Sequence, residues 1–98
     1  MSDRLQIHLD DRCMRVSGRI NVDNASDALA RGREFLSGAQ RRVDLSALES
    51  ADSVTLSVLL AWAAPSSRRG EAVEFAGMPS RLQALAHLSD ADQLLRIV

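Results

Sequence analysis

The period of the apolar residues switches repeatedly along this 98-residue chain, and each switch narrows the folds open to it. Leu5, Ile7 and Leu9 alternate with Arg4, Gln6, His8 and Asp10, the period of a half-buried strand. Asp10-Asp11-Arg12 reads as a hairpin turn, after which Cys13, Met14, Val16 and Ile20 supply a second strand ending near Gly18. From Val22 the period becomes helical. Val22, Ala25, Leu29, Phe35 and Leu36 share a stripe, with Asp23 or Asn24 as cap and Gly38 as stop. Residues 42–46 read as a third strand, and Asp52 caps a second helix running to about Ala64, where Pro65-Ser66-Ser67 and Gly70 break it. Ala72, Val73, Phe75 and Ala76 give a fourth strand. A third helix starts at Pro79 with Leu82, Leu85, Ala86 and Leu88 on one side, and residues 90–97 read as a last helical turn. Strands separated by helices require right-handed crossovers. The order β-β-α-β-α-β-α-α therefore predicts one α/β domain over residues 1–98, a mixed four-stranded sheet with helices packed on one face.

Composition limits what such a domain does. Apolar residues make up 46% of the chain, enough for one core, while 26% are charged and the net charge is −1. Near-neutrality argues against a nucleic-acid partner, which needs a basic surface to neutralise phosphates. Arg41-Arg42 and Arg68-Arg69 flank expected strands and read as solvated loop charge. All twelve basic residues are arginine, so no lysine serves a phosphate loop, a Schiff base or a general base. The single cysteine, Cys13, allows no internal disulfide and fits a reducing compartment. The polar start Met1-Ser2-Asp3-Arg4 does not read as a signal peptide, and the longest apolar stretch, 56–64, is too short to span a bilayer. A cytoplasmic protein with no direct membrane insertion is expected.

No catalytic constellation stands out. A Gly-x-Ser-x-Gly elbow and a glycine-rich phosphate loop are absent from the sequence. His8 and His87 are far apart and lack acidic or cysteine neighbours at metal-ligand spacing. His8 falls on the polar side of its strand, and His87 on a surface or half-buried helix position. Asp10-Asp11 and Asp90 with Asp92 look like turn and cap residues. The expectation is a protein that is not an enzyme and uses no cofactor or metal; a small hydrolase or ligand-binding domain is the outlying alternative.

One segment carries more information. Asp44-Leu45-Ser46 ends a strand, a short loop follows, and Asp52-Ser53 opens an apolar helix. This pattern resembles the STAS domain, the sulphate-transporter and anti-sigma-factor-antagonist family. Gly18-Arg19-Ile20-Asn21 matches the point where that family's second strand hands over to its first helix, and the likeness runs from about residue 5 to 95. Ser53 sits in a first helical turn, beside unpaired N–H groups and the positive dipole end. A phosphate there would add roughly −1.5 to −2 charges close to Asp52 and Glu49. The plainer alternative is that Ser53 only caps the helix beside Asp52.

Members switched by phosphorylation carry Asp-Ser-x-Gly-Leu at this helix start. Here Thr55 takes the glycine position, which sets a branched side chain where a kinase would approach. That departure and the apolar run that follows make the chain more similar to the accessory subunits of Mla-type phospholipid-transporting ABC complexes, which maintain outer-membrane lipid asymmetry. The resemblance then implies docking on the cytoplasmic ATPase subunit, indirect contact with its permease, and a place beside the inner membrane through that partner. The alternative it implies is an anti-sigma-factor antagonist regulated by phosphorylation of Ser53, with an anti-sigma kinase as partner. On the second helix Leu56, Leu59, Leu60 and Ala63 form the expected core stripe. Ser53, Val54, Thr55, Ser57, Val58 and Ala61, with Trp62 at the border as anchor, form the expected partner face, which has no charge between Asp52 and Arg68.

Overall fold

In the computed structural model, which describes residues 4–10, 13–36, 41–68 and 73–98, the alternating segments pair into one sheet. Strands β1 (Gln6–Leu9) and β2 (Cys13–Gly18) are antiparallel, joined through the expected hairpin. The turn residues Asp11 and Arg12 lie outside the described residues, as do Gly38, Gly70 and Ala72. Helix α1 (Ala25–Leu36) then crosses to β3 (Arg41–Leu48), α2 (Ser53–Arg68) to β4 (Val73–Ala76), and α3 (Ser80–Leu88) to β5 (Arg96–Ile97). These last three strands add in parallel, so the sheet runs β1-β2-β3-β4-β5 with only its first pair antiparallel.

The strand period divides the sheet into two chemistries. Ile7, Met14, Val16, Val43, Leu45, Val73 and Phe75 are buried with Leu59, Trp62 and Leu82 of the helices. Their strand neighbours Arg15, Arg42, Asp44 and Glu74 stand on the open face, paired as Arg15–Asp44 at 3.2 Å and Arg42–Glu74 at 3.1 Å. Arg42 is thus a strand residue with a cross-strand partner, rather than loop charge.

Four boundaries differ from the sequence reading. A 3₁₀ turn (Ala91–Gln93) replaces the final helical turn, and Arg96–Ile97 makes a fifth strand against Glu74 and Phe75. Two residues are too few to display a period, which is why that strand was not expected. Val22 is not on the α1 stripe but precedes the helix, 77% exposed. The Asn21 carboxamide oxygen accepts the Asp23 and Asn24 N–H groups, so the chain turns before the helix begins. Helix α2 continues through Pro65 to Arg68. A proline in the last turn removes one rung of the ladder without ending it.

Helices α1 and α2 meet at an unusually close point. The buried face of α1 consists of Ala28, Gly32 and Leu36. With no side chain at Gly32, the Trp62 indole of α2 lies flush against the α1 backbone, and its Nε1–H donates to the Ala28 carbonyl at 3.2 Å. Trp62 is 1% exposed.

Candidate partner-docking face

The motif Asp44-Leu45-Ser46 builds the approach to the site. Between Arg15↔Asp44 and Ser17↔Ala47 the register slips by one residue, a bulge in β3. The Asp44 carboxylate accepts the Ser46 N–H at 3.0 Å and braces that bulge. The Ser46 N–H and then the Ser46 hydroxyl hold the Asp44 carboxyl below its ordinary range; burial opposes them, and Arg15 lowers it by a smaller amount. After the bulge Leu48 returns to the core, and the strand hands over to residues 49–52.

That loop is locked to the β2–α1 connection. The Glu49 N–H donates to the Gly18 carbonyl at 2.7 Å, and the Ile20 N–H donates to the Ser50 Oγ at 3.0 Å. Gly18 has φ +85°, and a Cβ there would overlap the Arg4 carbonyl, so this crossing needs glycine. Ser50 Oγ and Thr55 Oγ1 are 2.7 Å apart, and Thr55 Oγ1 lies 2.9 Å from Asp52 Oδ1. A carboxylate only accepts, so the one Thr55 hydroxyl hydrogen goes to Asp52 and the Ser50 hydroxyl donates to Thr55. The relay therefore runs one way, from the Ile20 amide through Ser50 and Thr55 to Asp52. Asp52 is also the N-cap of α2: its Oδ1 accepts the Thr55 N–H at 2.9 Å, and its carbonyl accepts the Leu56 N–H at 3.0 Å.

The relay corrects part of the expected partner face. Thr55 is 0% exposed and points into the domain, so it neither meets a partner nor obstructs one approaching Ser53. Val58 and Trp62 are likewise core residues, at 2% and 1% exposure, and Trp62 is no docking anchor. The expected core stripe holds at Leu56, Leu59 and Ala63 but extends to Thr55, Val58 and Trp62, whereas Leu60 is only half-buried. What α2 turns outward is exposed Ser53 and Ser57, continued at i+8 by half-buried Ala61 and flanked by half-buried Val54, Leu60 and Ala64. The Ser57 hydroxyl donates back to the Ser53 carbonyl at 2.8 Å, which leaves the face smooth. Ser50 is the residue the sequence reading missed. The signal for it was Thr55 three places after an N-cap, where a hydroxyl reaches back over the first turn.

Among the described residues there is no group of three or more His, Cys, Asp or Glu able to hold a metal ion, and no helix long and apolar enough to cross a membrane. His87 is exposed and lies 3.0 Å from Asp92.

The fold is that of three solved anti-sigma factor antagonists. A putative one from Thermotoga maritima superposes with TM-score 0.74 at 18% identity, covering 95% of this chain and 84% of that one. One from Mycobacterium paratuberculosis gives 0.72 at 19%, covering 96% and 83%. Unphosphorylated SpoIIAA gives 0.73 at 10%, covering 97% and 88%. No curated protein sequence matches the chain significantly. The family model described as "Mlab, STAS domain" matches residues 4–96, nearly the whole chain, and the protein is accordingly a member of the STAS domain family.

Proposed function

We propose that this protein is a non-catalytic, MlaB-like accessory subunit that docks on the ATPase of an Mla-type phospholipid-transporting ABC complex. The observation that carries the reading is the outward face of α2. Ser53, Ser57 and Ala61 are small and uncharged, and they begin at a helix start held rigid by the Ser50–Thr55–Asp52 relay. Small residues on a fixed helix let a partner helix approach closely, and the family description points to the same class of protein. The contacts proposed are Ser53, Val54, Ser57 and Ala61, with an MlaF-like ATPase as direct partner and its permease as an indirect one.

A second reading is favoured by a separate observation. Solved structures with this fold are anti-sigma factor antagonists, and Ser53 is exposed at the helix start with Thr55 turned away from it. In that reading phosphorylation of Ser53 regulates release from an anti-sigma kinase. Affinity purification from the native host separates the two. Recovery of an ABC ATPase with its permease supports the first, and recovery of a kinase with a sigma factor supports the second. Ser53→Asp and Ala61→Glu are expected to lose the captured partner. At exposed Ser53 the thermal midpoint should move little, since exposed changes are usually within about ±0.5 kcal/mol, and at half-buried Ala61 it should fall somewhat further with the fold intact. Retention of the partner by both variants would exclude this face.

A further inference from the structure

Strand β1 is an edge of the sheet, and its outer side carries a groove of about 620 Å³ around Leu5 and Ile7, with Arg4, His8, Arg15 and Arg31 among its walls and no carboxylate. The ladder shows which backbone groups face it. Asp10 and Cys13 exchange hydrogen bonds at 2.9 and 3.3 Å, so by the alternation of antiparallel pairs His8↔Arg15 is bonded, whereas Leu9↔Met14 and Ile7↔Val16 are not. The N–H and C=O groups of Ile7 and Leu9 therefore point to the free edge. The Ile7 carbonyl confirms this, because it is Arg31 from α1 that donates to it, at 3.3 Å.

We propose that this edge takes up an extended acidic peptide segment, which adds a strand antiparallel or parallel to β1. An added strand projects alternate side chains to the two faces of the sheet. Here each face has a cation ready, Arg15 on the open side with His8 opposite it on β1, and Arg31 on the helix side. Arg15 also meets Asp44 through Nε, and Arg31 meets Asp27 only at 3.9 Å. A second copy of the chain is the wrong occupant, since it would bring its own arginines against these. Arg31 would yield the Ile7 carbonyl to the incoming N–H and turn to the peptide's carboxylates.

The test uses the full chain, labelled for amide NMR, and two end-blocked octapeptides that alternate valine with glutamate or with lysine. The acidic peptide should shift the Ile7 and Leu9 amides, and its affinity should fall with added salt. Arg31→Glu should weaken it about tenfold or more. Leu9→Pro should abolish it, because that N–H is needed by the added strand but not by the β2 ladder. Equal binding of the lysine peptide, or unchanged affinity in Arg31→Glu, would overturn the proposal. So would inorganic phosphate or phosphatidylglycerol vesicles perturbing the same amides as strongly as the peptide. If Leu9→Pro does not fold, the two peptides on wild-type and Arg31→Glu protein decide the matter.

Discussion

Thr55 shows how a single position changes meaning between sequence and fold. In the pattern of the family it replaces a glycine, and a branched residue there reads as an obstacle on the surface. In the structure its hydroxyl is the middle of a buried relay, accepting from Ser50 and donating to Asp52. Thr55→Val keeps the shape and removes both bonds. The buried Ser50 hydroxyl then has no acceptor at Thr55, and Asp52 retains only the backbone half of its cap. Leaving a buried polar group unsatisfied costs about 1–3 kcal/mol. In a chain of this size each kcal/mol moves the thermal midpoint by roughly 4–8 °C. A lower midpoint in a scan of Thr55→Val is expected, and a midpoint equal to wild type would mean that the relay contributes nothing.

At the level of elements, the strands were easier to read than the faces of the helices. Leu5, Ile7 and Leu9 announce their side by strict alternation, and the structure keeps Ile7 in the core. In α2 nearly every residue is apolar or small, so no polar stripe marks the outside; the expected core stripe is right at Leu56, Leu59 and Ala63 and leaves out Thr55, Val58 and Trp62. Its true rotation is set by Trp62, which needs a flat counterpart and finds it at Gly32 of α1. That pairing joins residues 30 apart in sequence and has no local signal. It also yields an opposition of two effects in Gly32→Ala. Alanine favours an α-helix over glycine by about 1 kcal/mol. Its Cβ, however, would fall within the fully buried Trp62 ring, and overpacking costs about 1–3 kcal/mol. Packing should win, lowering the midpoint and disturbing the fluorescence of Trp62, the sole tryptophan. A Gly32→Ala protein more stable than wild type would show that α1 moves away freely.

For the molecule as a whole, the sheet separates an apolar interior from an open charged face, and Asp44 on that face ties stability to pH. The Asp44 carboxyl is held below its ordinary range by the Ser46 N–H and hydroxyl and, to a lesser degree, by its pairing with Arg15. A carboxyl whose folded pKa lies below its unfolded value binds fewer protons in the native state, so stability rises with pH across that interval. The Asp44 contribution is complete above the ordinary carboxylate range, near 4. It is lost as pH falls through the lowered folded value. Asp44→Asn keeps an oxygen for the Ser46 N–H but cannot titrate. The mutant should be less stable than wild type at neutral pH, and the two curves of midpoint against pH should converge in acid. The bulge in β3 that Asp44 braces leads directly to the Asp52 cap, so the same titration should loosen the start of α2. Amide exchange at residues 46–56 should then quicken at low pH in wild type, with a smaller change in Asp44→Asn. Parallel curves that never converge would place the acid response of the fold on a different group.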